Sequence, residues 1–377
     1  MFARFFRHDG NAFSFLFATQ DIHSYDYTKR WAKVGNFTLT LPYDKTYVKK
    51  LLMNDFIEYD GDWLFIEDIN YDTKNIILSG HDCKQLVYLR ISALGSLSEQ
   101  FDGTTGTTAQ CIEYFLNKNM ISPADSARKL PIHFESGATG LNNDGYMTKL
   151  ENVGDIVEKL CNSAGIGYEV KGNLSHDYFT FQLKNTVDKS KNQSERARVI
   201  FSAERQNVTS ISFEHDETNL YNAITAQGAG TLEVVYRDKD NNPLIPPEPS
   251  DPNYQDKLNE YQAKIPQGIA RRECALEVNV NSIGEIRKAA LLAAEDNIST
   301  HTYNLGTFSG DYATKFSLGD IVSVKDDATA NYFSDVITEV HMNLSAENRN
   351  IQITLGRQKP KLLNKIVKNM LNGIGKG

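Results

Sequence analysis

Two stretches of this chain, far apart in its 377 residues, carry nearly the same strand pattern. In each, an aspartate begins a short alternating strand, two further strands follow, and the last strand closes on glycine. The first stretch runs from Asp55 to Gly80 and the second from Asp320 to Gly356. This internal similarity predicts two equivalent three-stranded antiparallel modules, the second with longer turns. The alternative is a chance likeness, because alternating strands resemble one another in any β-rich chain.

The composition limits the class of protein. Hydrophobic residues make up 40% of the chain and charged residues 23%, which is typical of a globular protein of about two to four domains. The formal charge of −8 argues against an overall surface for gripping nucleic acid. The cysteines show no C-x-x-C pair or zinc-like spacing, which indicates folding in a reducing cytoplasm. They are Cys83, Cys111, Cys161 and Cys274, of which Cys111 and Cys161 fall on apolar faces of predicted helices.

The first part of the chain is predicted to be mainly β. Alternating phenylalanines from Phe13 to Phe17 favour a strand over the apolar core of a signal peptide. Asp60-Gly61 supplies the positive φ angles of a tight hairpin turn. His81 to Arg90 is predicted to form a short helix. No segment approaches the length of a transmembrane helix.

Residues 101–198 change character and are predicted to form an inserted α/β domain. Thr107 and Gln110 make a capping box that begins one helix. Asn152 begins a second helix, which Gly165 ends. A strand with alternating apolar residues follows, and these residues are Phe179, Phe181 and Leu183.

The β pattern then returns, with one interruption. Residues 237–268 hold six of the ten prolines of the chain, which excludes a place inside a sheet and predicts a long projecting arm without periodicity. A helix is predicted over residues 282–300, capped reciprocally by Ser282 and Glu285.

The carboxyl-terminal tail, residues 358–377, is predicted to be a basic amphipathic helix. It contains five lysines and no acid, and Lys361, Lys365 and Lys368 lie beside its apolar residues. Such a helix can contact a membrane surface or a partner groove. The alternative is that it packs on its own subunit or on its copies in an oligomer.

No catalytic, cofactor-binding or metal-binding residue is predicted. Gly103–Gly106 lacks the Gly-Lys-Ser/Thr ending of a phosphate loop, and Asp238–Asn242 has Pro243 where a calcium loop needs glycine. His81-Asp82-Cys83 are neighbours that do not converge on one atom. Glu67-Asp68 are expected on opposite faces of a strand, which makes them poor partners for acid–base catalysis.

Several segments, taken in order, resemble the hub family of long-tailed phage tail tips, also called the tail-associated protein family. The resemblance extends over nearly the whole chain to about residue 357. The chain is also similar to the myophage central hub, and it looks most like the short hubs of lactococcal-type siphophages. The matching segments are Trp31–Pro42, Phe65–Ile69, Leu78–Leu86 with Arg90, Phe316–Val324 and Ile353–Gly356.

This resemblance implies an α+β fold, mainly β, with two related barrel-like antiparallel β domains and an inserted α/β domain. The first barrel domain would span residues 1–100, with 199–236 as a candidate completion. The second would span 199–357 and include the 237–268 arm.

The resemblance also implies a structural role. Three subunits would form a pseudo-sixfold ring that adapts the sixfold tail to a threefold tip, closes the tail tube and opens for DNA ejection during host attachment. The implied partners are two copies of the same chain, the distal tail protein ring, receptor-binding proteins and the tape-measure protein, while DNA passes without specific binding. The protein would be assembled in the host cytoplasm and reside in the virion tail tip or baseplate.

Two alternatives remain open at this stage. One is a cell-wall hydrolase or endopeptidase of the tail tip that uses the α/β module, Thr104–Val187, in which the sequence shows no converging cluster of histidines or carboxylates. Longer relatives carry a peptidoglycan-degrading domain beyond the hub, for which this chain, ending at Gly377, is expected to have no room. The other is the hub of a contractile injection system or tailocin, which shares the fold.

Overall fold

The computed structural model describes residues 2–356 apart from short gaps, and the chain divides into two compact units. The first unit comprises Met1–Ser212 and Tyr303–Gly356, and the second comprises Phe213–Thr302 with Arg357–Gly377. The residues outside the description are 1, 97, 102–105, 139–145, 149, 219, 229–231, 239–242, 278–285, 288–289, 291–299, 327–329, 346–348 and 357–377.

The amino-terminal part of the first unit is a run of antiparallel strands. Asp44 caps its one short helix, α1 (Lys45–Lys50), by accepting from the backbone N–H groups of Thr46 and Tyr47. The strands are β1 (Ala3–His8), β2 (Phe13–Thr19), β3 (Ser24–Arg30), β4 (Asn36–Pro42), β5 (Phe56–Tyr59), β6 (Asp62–Tyr71) and β7 (Asn75–Asp82).

An α/β insertion follows a short 3₁₀ helix at Cys83–Leu89. Its two main helices, α2 (Thr108–Leu116) and α3 (Val153–Ala164), pack against each other and bury their apolar faces in one core with the sheet residues Trp63 and Phe179. A short helical segment, Asn117–Ile121, extends α2, and a 3₁₀ turn lies at Ser126–Arg128. The strands are β8 (Glu99–Phe101), β9 (Ile132–Glu135), β10 (Tyr146–Thr148), β11 (Gly167–Asn173) and β12 (Tyr178–Lys184).

The chain then returns to the large sheet. The strands concerned are β13 (Val187–Asp188), β14 (Ile200–Phe201), β15 (Ser210–Asp216), β20 (Thr300–Thr307), β21 (Asp320–Lys325), β22 (Tyr332–Ser345) and β23 (Arg349–Leu355). The order along the sheet is β15-β20-β23-β22-β3-β4-β7-β6-β5-β1-β2, and β21 pairs with β22, β13 and β14.

The second unit contains four strands, one helix and a 3₁₀ turn among its described elements. They are β16 (Ala223–Gln227), β17 (Leu232–Arg237), β18 (Pro243–Leu244), α4 (Tyr254–Lys264), the 3₁₀ turn at Gly268–Ala270 and β19 (Glu273–Glu277). The strands form a sheet of order β18-β17-β16-β19, with a small apolar core around Ile224 and Val235. Helix α4 has no buried residue.

The mainly β fold with two related modules is confirmed, but the described strands form open sheets and close no barrel. The reason is β3, which pairs with β4 on one side and β22 on the other and so joins both modules into one sheet.

The local predictions at helix and strand ends are largely confirmed. Thr107 and Gln110 make both bonds of the capping box, and Gly165 ends α3 with φ of 67°. Asp60 and Gly61 have φ of 54° and 77°, as the hairpin turn requires.

The prediction for residues 237–268 was wrong in two respects. Pro243 lies in β18 and pairs with β17, which is compatible with proline because β18 is the edge of its sheet. The segment also contains α4, whose Tyr254, Leu258 and Tyr261 recur at helical spacing, so the periodicity was present but weak. The predicted 282–300 helix and the 358–377 tail lie largely or wholly outside the described residues.

Candidate functional site: the two equivalent modules

The first module (β5–β7) and the second module (β21–β23) are antiparallel meanders with the same irregularity. In the first, a β-bulge lies between Ile66 and Asp68 where β6 pairs with β7. In the second, a bulge lies between Ile337 and Glu339 where β22 pairs with β23. A bulge inserts one residue and fixes the register on both sides. Its recurrence at matching positions supports a true duplication over a chance likeness.

The bulge corrects one detail of the sequence comparison. Ile66 pairs with Gly80, whereas the equivalent Ile337 pairs with Leu355. Leu355 is therefore the counterpart of Gly80, and Gly356 lies one residue further along. The bulge also interrupts the simple alternation expected at Glu67-Asp68.

A buried aspartate begins each module and makes the same backbone contact. Asp55 accepts from the backbone N–H of Leu52 at 2.7 Å, and Asp320 accepts from the backbone N–H of Ser317 at 2.7 Å. Asp55 and Asp320 are 1% and 4% exposed. Each carboxylate thus fixes the turn that leads into its module.

Each of these aspartates also meets a basic side chain from outside its module. The Arg7 guanidinium binds both oxygens of Asp55, at 2.7 and 2.8 Å, and the Lys189 ammonium lies 2.8 Å from Asp320. Buried carboxylates need such partners, because an unpaired buried charge is strongly destabilising. The sequence places both aspartates at the start of the repeat but does not reveal this role.

A flanking strand extends each module in the same register. In the first module β4 places Phe37 opposite Gly80, and in the second β20 places Tyr303 opposite Leu355. Since Gly80 and Leu355 are equivalent, β4 and β20 are equivalent strands. Thr40 of β4 accordingly corresponds to Gly306 of β20.

One face of the shared sheet carries short polar side chains. On the internal strands these alternate with core residues, as the period of two requires. Asp26 accepts a hydrogen bond from Asn343 at 2.8 Å and meets the His341 ring at 3.1 Å, and Arg30 pairs with Glu339 at 2.7 Å. We refer to this as the polar sheet face, and its central members are Asp26, Thr38, Thr40, Ser79, His341 and Asn343.

A buried polar cluster lies where the first module meets the α/β insertion. Asp82 accepts from the backbone N–H groups of Gly35 and Lys84, each at 3.1 Å, and from the hydroxyl of Tyr27 at 3.2 Å. Burial raises the pKa of the Asp82 carboxyl above its ordinary value. The carboxyl also caps the 3₁₀ helix that enters the insertion.

Lys84 is 4% exposed and clamps the loop that follows β3. Its ammonium donates to the carbonyl oxygens of Arg30, of Trp31 at 3.1 Å and of Lys33 at 3.3 Å, and it lies 4.8 Å from the ring centroid of Tyr168. Burial lowers the pKa of Lys84 to about 8. Because the ammonium is held by three carbonyl oxygens inside the protein, its role is to fix the chain rather than to attack a substrate.

The other candidates for a catalytic role, His81, Asp82, Cys83 and Glu67, also make structural contacts. His81 pairs with Glu67, which in turn accepts from the amide of Gln85 at 3.0 Å. Cys83 is fully buried, and burial raises the pKa of its thiol well above the ordinary value. Asp82 points into the cluster around Tyr27, so His81-Asp82-Cys83 form no nucleophilic arrangement.

Cys111 and Cys161 are fully buried on α2 and α3, as predicted, and burial raises the pKa of each to about 12. Within the described part of the chain, no group of three or more His, Cys, Asp or Glu side chains is arranged to hold a metal ion. The described helices include none with the length and hydropathy needed to span a membrane. Most of Gly103–Gly106 and of Asp238–Asn242 lies outside the described residues.

Two sequence comparisons complement this geometry. A family model with the description Siphovirus ReqiPepy6 Gp37-like protein matches residues 8–235, which is more than half of the chain. A comparison with curated protein sequences gives no match.

The fold is similar along its full length to solved phage tail proteins. The 43 kDa tail protein of prophage MuSo2 from Shewanella oneidensis is 13% identical with a TM-score of 0.54, covering 94% of this chain and 97% of the other. Prophage tail protein gp18 of Listeria monocytogenes is 12% identical with a TM-score of 0.51, covering all of both chains. A tail protein of Neisseria meningitidis is 13% identical with a TM-score of 0.53, covering 95% and 96%. At these identities the similarity establishes a common fold.

Proposed function

Because this chain belongs to the Siphovirus ReqiPepy6 Gp37-like protein family, we propose that it is a structural protein of a phage tail, and specifically the hub of the tail tip. One observation carries the proposal: a duplicated β module, with matching bulge and matching buried aspartate, lies within a fold that extends over the full length of prophage tail proteins.

The duplication is what a symmetry adaptor at the end of a tube needs. Three copies of a chain with two equivalent modules present six similar surfaces, which matches a sixfold tail on one side and a threefold tip on the other. Head-to-tail contacts between copies can close into such a ring. The neighbours of this ring are the distal tail protein on the tube side, and receptor-binding proteins and the end of the tape-measure protein around the tip.

The ring closes the tail tube and opens when DNA is ejected into the host. A wall along which DNA slides must avoid lysine and arginine, because each contact with phosphate adds salt-dependent affinity. The polar sheet face has this character, since its central residues include no lysine or arginine and the nearby Arg30 is paired with Glu339. We therefore assign this face to the passage, where DNA moves without specific binding.

The contacts of the candidate chemical groups support a structural role over a cell-wall hydrolase. Lys84, Asp82 and the His81–Glu67 pair are engaged in hydrogen bonds that hold loops and a helix end. The protein then resides in the virion tail tip after assembly in the host cytoplasm, and its free cysteines suit that reducing compartment. A contractile-system hub would share this fold, and a neighbouring sheath gene distinguishes that case.

The location is tested by gold-labelled antibody raised against the purified chain and applied to virions of the encoding phage. We expect label at the distal end of the tail, and pretreatment of the antibody with free protein is the control. Label on the capsid or along the tail shaft would contradict the proposal. Digestion of purified cell wall by the isolated chain would instead favour the hydrolase.

A further inference from the structure

The equivalence of the two modules extends to one more strand. The backbone N–H of His23, just before β3, donates to the carbonyl oxygen of Thr40 at 2.9 Å. The backbone N–H of Thr209, just before β15, donates to the carbonyl oxygen of Gly306 at 2.8 Å. Since Thr40 and Gly306 are equivalent, Ser24 of β3 corresponds to Ser210 of β15. Both strands are seven residues long.

β3 and β15 differ in what pairs with the strand edge that faces away from β4 and β20. β3 continues into the other module by pairing with β22 from Glu339 to Ser345. Among the described strands, β15 is the last one of the sheet. The counterpart of Glu339–Met342 in the first module is Asp68–Tyr71 of β6, which pairs with β7 on one side. On its other side, no strand among the described residues pairs with this part of β6, because β5 ends its pairing at Phe65.

The apolar residues at these two edges are exposed, whereas their internal counterparts are buried. Tyr27 of β3 and Met342 of β22 lie opposite each other and are 1% and 8% exposed. Their counterparts are Phe213 of β15 and Tyr71 of β6, which are 49% and 58% exposed. Two large exposed side chains at matched positions indicate a junction that is complete only in an assembly.

We propose that β15 of one copy pairs antiparallel with β6 of the next copy, in the register by which β3 pairs with β22 inside one chain. This places Phe213 opposite Tyr71 and His215 opposite Ile69 of the neighbouring copy. The partner is a second copy of this chain because the two edges are the two halves of a junction that the chain already contains. The inference rests on the proposed ring and names the contact that closes it.

The other end of the sheet is an unsuitable docking edge. On β2 the backbone N–H of Phe13 donates to Asp177 at 2.9 Å, and the carbonyl oxygen of Leu16, at a bulge, accepts from Lys50 at 3.1 Å. A bulge and a lysine are the usual means of blocking an edge strand. Among the described strands of this sheet, β15 and the last residues of β6 are therefore the edges that a neighbouring copy can pair with.

A disulfide trap tests the register. The positions opposite each other are Asn70 and Glu214, which correspond to His341 and Thr28. The variant Asn70→Cys with Glu214→Cys, made in a Cys274→Ser background, is oxidised mildly and run on a non-reducing gel. The matched control, Asn70→Cys with Ser212→Cys, places the thiols two residues out of register. We expect at least tenfold more cross-linked dimer and trimer for the first pair.

The oligomeric mass, measured by light scattering on the same samples, separates the possible failures. A trimer in which the in-register pair fails to cross-link, or in which both pairs cross-link equally, overturns the strand pairing and leaves the hub intact. A monomer without cross-links overturns both proposals. As a second variant, Tyr71→Asp is expected to dissociate the trimer without shifting the thermal transition of the chain, and a trimer that persists would contradict the proposed edge.

Discussion

The two modules share their strands, their bulge and their buried aspartate, yet they differ in what covers them. At the internal junction β3 pairs with β22, and Tyr27 and Met342 are buried in the core of the first unit. At the equivalent outer positions Phe213 and Tyr71 are about half exposed or more. The same strand geometry thus occurs once completed and once open. Under the proposed strand pairing, this difference marks where a neighbouring copy binds, with the internal junction as the template for the contact.

The largest expected effect concerns the shared aspartates. Asp55→Ala removes three hydrogen bonds from a buried carboxylate and leaves the Arg7 guanidinium without its partner, so we expect the free energy of unfolding to fall by about 3 kcal/mol. Asp320→Ala should cost somewhat less, because Lys189 makes a single contact with this carboxylate and also donates to the carbonyl oxygen of Lys315. The control is Glu58→Gln, which removes the ion pair with the half-exposed Arg4. Loss of this pair should lower the free energy of unfolding by less than about 1 kcal/mol. Urea unfolding measures all three, and a neutral Asp320→Ala would break the equivalence of the modules.

A pair of substitutions at one equivalent position separates folding from assembly. Met342→Ala should lower the free energy of unfolding by about 2 to 3 kcal/mol, because it opens a cavity at the internal junction. Tyr71→Ala should change it by less than about 0.5 kcal/mol, since the side chain is exposed, but should weaken trimer formation at least tenfold. Thermal unfolding of the dilute monomer and light scattering at increasing concentration provide the two readouts. Equal destabilisation by both variants would contradict the assignment of Tyr71 to an intermolecular contact.

The buried lysine gives the first module a pH dependence. Unfolded, Lys84 keeps its proton up to the ordinary pKa of 10.5, whereas the folded chain releases it near pH 8. Between about pH 8 and pH 10 the unfolded state therefore binds more protons, and Lys84 makes the free energy of unfolding rise with pH. We expect this rise in the difference between the wild type and Lys84→Met, which cancels the titration of cysteines and tyrosines. A difference that is flat with pH would show that Lys84 stays protonated in the folded protein.

A smaller effect is expected on the polar sheet face. Thr38 and Asn304 are equivalent, since they lie opposite Ser79 and Thr354, so Thr38→Lys and Asn304→Lys should act alike. Each adds three lysines to a trimer, and affinity for duplex DNA should rise several-fold with a steeper salt dependence. The wild-type chain is the control and should bind more weakly than about micromolar at physiological salt. Fluorescence anisotropy with a labelled duplex provides the measurement, and unchanged affinity in both variants would place this face away from the DNA path.

Local features of this fold follow from the sequence because their causes are local. The capping box at Thr107, the turn at Asp60-Gly61 and the repeated strands each depend on residues a few positions apart. The joining of the modules by β3 could not be predicted, because pairing between β3 and β22 connects residues from opposite ends of the chain. For the same reason the sequence predicted two barrels and did not predict the open sheet.

The candidate site, too, could be predicted only in part from the sequence. The aspartates at the start of each repeat were visible, but their basic partners, Arg7 in β1 and Lys189 just after β13, come from segments with no sequence relation to one another. No sequence signal distinguishes Lys84 from a surface lysine, because its burial depends on the distant residue Tyr168 that packs against it. The weak signal for α4 was missed because none of its residues is buried and its apolar stripe is narrow.

In the proposed hub, three copies of this chain provide six equivalent modules at the end of a tail tube. Native mass spectrometry of the chain, alone and together with the distal tail protein, measures the copy number directly. We predict a species of three times 42.4 kDa that joins one distal ring. A monomer or dimer under both conditions, or six copies on one distal ring, would contradict the account.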